Sequence, residues 1–96
     1  MKAKLAPVHP GEILDEEFLK PMGLSARRFA EAIRVPANRV TRLINGQVNV
    51  TADTALRLSR ALRTTPEFWL NLQVQYDLQS VEDADGYEDI VPVGTV

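Results

Sequence analysis

The chain has 96 residues, 45% of them hydrophobic and 25% charged, a composition that fits one small, soluble, globular domain. It has no cysteine, which excludes disulfides and thiolate metal sites. No apolar run approaches the ~20 residues of a membrane span.

The net charge of −2 hides a strong asymmetry. Residues 1–19 hold 2 basic and 4 acidic side chains, residues 20–63 hold 9 and 2, and residues 64–96 hold 0 and 7. The middle block therefore carries +7 and the C-terminal block −7. A concentrated positive block is an electrostatic footprint for phosphate. The acidic end points to a different surface, turned away from nucleic acid or towards a basic partner.

Residues 1–8 carry no pattern and read as an N-terminal arm. MKAKLAPVHPGEI has no apolar signal core, so a cytoplasmic protein is expected. His9-Pro10-Gly11-Glu12 reads as a helix start, with Pro10 at the first helical position, where a missing N–H costs nothing. Glu12, Asp15, Glu16 and Glu17 sit early, where the helix dipole favours negative charge. Ile13, Leu14 and Phe18 share an apolar face. Pro21 is expected to stop this helix and Gly23 to turn the chain. His9 is the only histidine and has no neighbours at metal-ligand spacing, so a structural role is expected and no metal site.

Ser25 is a good N-cap for a second helix. Phe29, Ala30 and Ile33 form its apolar face, and the small Ala30 permits close helix contact. Arg27 and Arg28 are left outside. The helix is expected to end near Ile33-Arg34, with Val35 turned into the core and Pro36 at the first position of a third helix. On that helix Asn38, Thr41, Arg42 and Asn45 share one side, flanked by Ala37 and with Arg39 at the edge. Val40, Leu43 and Ile44 lie opposite, and Gly46 closes the helix. This is the logic of a helix-turn-helix reader. An α-helix fits the major groove, and Arg and Asn suit bidentate contacts with guanine and adenine edges.

Thr51 can cap a fourth helix, with Asp53 in its first turn. Ala55, Leu56, Ala61 and Leu62 are its expected core residues, and Arg57, Arg60 and Arg63 are expected to be solvated, with one of them able to reach a phosphate. Thr64-Thr65-Pro66-Glu67 signals a fifth helix start. That helix is apolar on more than one side. Phe68, Leu72 and Tyr76 form one row, and Phe68 and Trp69 are expected in the core. Leu70, Val74 and Leu78 form a second face, which is expected to dimerise. A two-fold dimer would present two reader helices about one DNA turn apart. Residues 80–96 read as a short acidic tail ending in a β-prone run.

The chain resembles the HigA family of antitoxins, also known as VapI-like proteins, within the phage-repressor (XRE/Cro) helix-turn-helix group. The resemblance is carried by HPGEIL at 9–14, EEFLKPMGLS at 16–25, RVPANRV at 34–40, LINGQ at 43–47, ADTALRLSRAL at 52–62 and TTPEFWLNLQVQYDL at 64–78. It implies an all-α, five-helix, lambda-repressor-like fold over residues 9–79 and a homodimer that binds a palindromic, double-stranded operator upstream of its own operon. It also implies a partner toxin, HigB, similar to RelE-type mRNA endonucleases, which the antitoxin masks. By position, Ala37, Asn38 and Arg42 match the family's base-reading places, and Arg39 is an additional candidate. Two residues depart from the phage-repressor pattern. Ala26 stands where Gln usually contacts phosphate, so that contact is either absent or passes to Arg27. Arg34 stands where Gly is usual. If the turn needs a positive φ there, Arg34 carries strain of order 1 kcal/mol.

Two roles are therefore expected together, a DNA-binding autorepressor and an inhibitor of a basic RNase. A solitary XRE-family regulator without a toxin is the alternative. With no cysteine, a lone histidine and no Gly-rich phosphate loop, no catalysis and no cofactor are expected.

Overall fold

The computed structural model describes residues 7–82 and 86–94. Among them five helices form and no strand does, which is the expected all-α architecture. Helix α1 is one unbroken run of three segments, α-helical Pro10–Ile13, π-helical Leu14–Leu19 and α-helical Lys20–Met22. Helix α2 spans Ala26–Ile33, α3 Ala37–Ile44, α4 Ala52–Leu62 and α5 Pro66–Glu82. None of the described helices is long and apolar enough to cross a membrane.

The helix starts are local and follow the sequence. Ser25 Oγ accepts from the Arg28 N–H at 3.1 Å, Thr51 Oγ1 from Thr54 at 3.3 Å and Thr65 Oγ1 from Phe68 at 3.1 Å, each satisfying an orphan donor. His9 caps α1 in the same way, its Nδ1 accepting from Gly11 at 2.9 Å. Two details differ from expectation. Pro36 is the extended N-cap of α3, so Ala37 is its first helical residue. Pro21 does not stop α1, which runs on to Met22. The π segment just before it, in which the Lys20 N–H bonds to the Asp15 carbonyl, widens the coil where a proline ring would crowd the preceding turn.

Four helices end in the same way. A left-handed residue lets the next N–H reach back to a carbonyl five residues earlier: Leu24 to Leu19 at 2.9 Å, Val35 to Ala30 at 3.0 Å, Gln47 to Arg42 at 2.8 Å and Thr64 to Ser59 at 3.2 Å. This is the Schellman geometry. The left-handed residue is glycine at two of these ends, Gly23 and Gly46, and arginine at the other two, Arg34 (φ 63°) and Arg63 (φ 58°).

Helix α2 packs on α3 and α4, α4 on α5, and α1 on both α3 and α5. Trp69 is fully buried at the centre. Its indole N–H donates to Thr64 Oγ1 at 2.7 Å, and the rings of Phe18 and Phe68 lie 5.4 and 5.0 Å away. Around it are Leu14 and Leu19 from α1, Phe29, Ala30 and Ile33 from α2, Val40 and Leu43 from α3, Val50, and Ala55 and Leu58 from α4. Each large buried side chain contributes about 1.5–3 kcal/mol. The phase of α4 differs from the expected one. Ala55 and Leu58, at i and i+3, carry its buried face, while Leu56 and Ala61 are exposed and Leu62 is half-buried. Phe68, expected in the core, is 39% exposed and meets Trp69 edge-on.

The tightest approach in the fold lies between α1 and α3. A Cβ built on Gly11 would fall 1.7 Å from the Leu43 carbonyl oxygen and 2.6 Å from its carbon. Backbone cannot yield as a side chain can, so this helical position admits only glycine. Helix propensity alone would have Gly11→Ala stabilise the chain by up to ~1 kcal/mol. We expect instead a loss of at least ~2 kcal/mol from overpacking in urea unfolding at neutral pH. An unchanged or raised midpoint would refute the close approach.

Candidate nucleic-acid interface

The second and third helices form a compact unit because their junction is satisfied from within. Arg34 takes the left-handed conformation, and Val35 returns its N–H to Ala30. Val35 is then half-buried against the core, as expected. Pro36 sets the extended entry into α3. The conditional strain at Arg34 is present, of order 1 kcal/mol. Its neighbourhood is held by Arg57 from α4, whose Nη1 donates to the Ile33 carbonyl at 2.8 Å and reaches the Arg34 carbonyl at 3.5 Å. A guanidinium thus takes up carbonyls that the end of α2 leaves orphaned.

On α3, Val40 and Leu43 are 2% and 3% exposed. That anchoring turns Ala37, Asn38, Thr41, Arg42 and Asn45 to solvent together. Among the described residues, the Asn38, Arg42 and Asn45 side chains make no protein hydrogen bond or ion pair. Thr41 donates its hydroxyl to the Ala37 carbonyl at 3.2 Å, leaving its oxygen able to accept. Arg27 and Arg28 are exposed on α2. Such a surface offers donors of both the amide and guanidinium type on a rigid helix, with no internal partner to displace.

Arg39 is different. Its Nη2 lies 2.9 Å from Asp53 Oδ2 and 2.8 Å from Thr54 Oγ1, so the structure turns it towards α4. Asp53 Oδ2 also accepts from Arg57 Nε at 3.0 Å. Hydrogen bonds from Arg57 first and Arg39 second hold the Asp53 carboxyl below its usual value.

Sequence reasoning missed what fixes the loop after α3. Gln73, buried on α5, accepts from the Val50 N–H at 2.7 Å and donates to Asp77 Oδ1 at 2.9 Å and Asn49 Oδ1 at 3.3 Å. Its signal was available: an amide one turn after Trp69 has to find partners when its helix face is buried. His9 supports the same loop from below. It is buried, its ring meets Tyr76 edge-on at 4.8 Å, and it lies under Gly46. Its Nε2 lies by the Val48 backbone without a well-formed hydrogen bond. Of the expected dimer residues, Val74 and Leu78 are 59% and 53% exposed, while Leu70 is half-buried against the core. Val81 continues the exposed row.

A helix-turn-helix family, HTH_3, matches residues 16–69. The chain is 45% identical to virulence-associated protein I of Dichelobacter nodosus, covering 98% of this chain and 88% of that one. It is 52% identical to antitoxin HigA-1 of Vibrio cholerae, covering 80% and 72%. The solved structure of antitoxin GraA superposes with a TM-score of 0.87 at 46% identity, over 94% of this chain and 100% of that one. The same antitoxin in complex with its operator gives 0.85 at 45%, over 99% of each.

Burial lowers the His9 pKa from 6.5, against smaller opposing effects of the Val48 backbone and Asp77. A lowered histidine means that the unfolded chain binds the proton first as pH falls. Its contribution is therefore complete above about pH 6.5 and declines below it, towards the folded pKa. We expect the urea midpoint to fall between pH 7.5 and 5.5, and to fall less in His9→Asn, which keeps the cap. Equal declines in both proteins would assign the effect to other groups.

Proposed function

Because the chain belongs to the helix-turn-helix family, and within it to the HigA-type antitoxins, we propose that it is an antitoxin that represses its own operon as a homodimer on a palindromic operator and neutralises a HigB/RelE-like mRNA endonuclease toxin. The observation that carries the DNA half is the solvent-facing group Asn38, Thr41, Arg42 and Asn45 on a helix locked from behind by Val40 and Leu43. Asn38 and Arg42 read base edges, with Thr41 and Asn45 beside them. Ala37, at the start of the helix, allows close approach to a thymine methyl. Arg27 contacts phosphate and sets the register. The likeness to an antitoxin solved with its operator supports this reading.

The dimer uses α5. Val74, Leu78 and Val81 form an exposed apolar row that begins at the half-buried Leu70, and a second copy of the chain covers it. The toxin meets the acidic end, where residues 64–96 carry −7. That charge suits a basic, RNA-cleaving partner and stands apart from the basic block.

On a duplex selected from a randomised pool, Arg42→Ala is expected to weaken binding by roughly 1–3 kcal/mol at fixed salt and to relax specificity at one position of each half-site. Leu78→Asp is expected to sediment as a monomer and to lose the advantage of the full palindrome over a half-site. Unchanged affinity and preference in Arg42→Ala would remove α3 as the reader. For the second role, the product of the adjacent gene should arrest growth when expressed alone and co-purify with this chain when co-expressed. A harmless neighbour that does not bind would leave a solitary regulator.

A further inference from the structure

We propose that Asp53 is a specificity-determining residue that acts through Arg39: its carboxylate occupies the guanidinium as an internal substitute for a DNA phosphate and keeps that charge out of sequence-independent binding. The inference rests on α3 being the DNA reader. Only two acidic residues, Glu31 and Asp53, lie within the +7 block of residues 20–63. Asp53 stands at the start of α4, beside the reader helix, and one of its oxygens serves two arginines. Oδ2 is 2.9 Å from Arg39 Nη2 and 3.0 Å from Arg57 Nε. Thr54 Oγ1 gives Arg39 a second acceptor at 2.8 Å. Arg57 is itself tied to the Ile33 carbonyl at 2.8 Å, so the carboxylate is held in place rather than free to follow Arg39 outwards.

The consequence concerns competition between anions. A phosphate offers Arg39 the same kind of charge-assisted bond that Asp53 already gives it. Exchanging one for the other gains little, because the first bond has to break. The side chains of Arg39 and Asp53 are 38% and 56% exposed, so the exchange is sterically open and its outcome is decided by charge. Asn38 and Arg42 face no such competition, and they carry the base-reading role. Holding Arg39 back therefore lowers the share of affinity that every sequence receives equally, and raises the weight of base contacts.

The test compares wild type with Arg39→Gln, Asp53→Asn, Asp53→Glu and the Arg39→Gln/Asp53→Asn double variant. Dissociation constants are measured against salt on a wild-type-selected duplex and on a scrambled one. Arg39→Gln is expected to leave the salt slope unchanged. Asp53→Asn is expected to steepen it by ~0.9 for each protomer, or ~1.8 for the proposed dimer, the value for one further phosphate contact per Arg39, to tighten the scrambled duplex several-fold and to narrow the gap between the two duplexes. The double variant should return to the slope of Arg39→Gln, and Asp53→Glu should stay near wild type. A slope that falls in Arg39→Gln would overturn the proposal, and that arm holds whether or not Asp53→Asn folds. So would an Asp53→Asn protein that weakens both duplexes equally while melting lower, which marks a purely structural residue. A gain that persists in the double variant would also overturn it. Failure of wild type to select any sequence would instead remove the DNA-reading premise.

Discussion

A bare Cα lying against a carbonyl sets the geometry of this molecule. Gly11 meets the backbone of α3 at Leu43 with no room for a methyl group, and that fixes how near the first helix comes to the third. At this spacing Leu14 reaches the same buried cluster as Val40 and Leu43. The same approach brings His9 beneath Gly46, at the point where the chain leaves α3. Four of the six residues of the HPGEIL motif are thus explained. His9 caps and fills, Pro10 starts the helix, Gly11 permits contact, and Leu14 enters the core. All four are buried. They determine where α3 stands and how firmly.

Two arginines at left-handed helix ends show how local strain is tolerated. Glycine would adopt φ near 60° without cost, yet Arg34 and Arg63 do so with side chains present. At both ends the reward is a backbone hydrogen bond that closes the helix. At Arg34 there is an additional one, since Arg57 draws the neighbouring carbonyls onto α4. At Arg34 the strain sits where three helices share polar contacts, which hold the junction between α2 and α3 in place.

Much of the fold was legible because its causes are local. Ser25, Thr51 and Thr65 each bond an N–H three residues on, and such a signal is contained within four letters. The exposed side of α3 followed from periodicity, as did the burial of Val40 and Leu43. What escaped depends on partners far along the chain. Gln73 reaches Val50, 23 residues away, and Arg39 reaches Asp53, 14 away. A solvated guanidinium and one bonded to a distant carboxylate look the same in sequence. The phase of α4 failed for a related reason. Leu56 and Leu58 lie nearly opposite each other on a helix, and only the neighbouring helices decide which of them is buried. Pro21 was misjudged because a π turn can absorb a proline that an ideal α-helix rejects.

Gln73 and Val74 are consecutive, and they face opposite tasks. Gln73 points inwards and pins the loop that follows α3, while Val74 points outwards into the apolar row. One helical turn therefore carries both the inner brace of α3 and part of the face proposed to meet a second copy. With α3 braced to α5 in this way, the proposed dimer would make the distance between its two α3 helices a property of α5. On that proposal the letters of a half-site would be written on α3, and the spacing between half-sites on α5. These two properties of an operator could then drift independently during evolution: a substitution at Asn38 or Arg42 would alter the text, and a conservative repacking around Val74 and Leu78 the ruler.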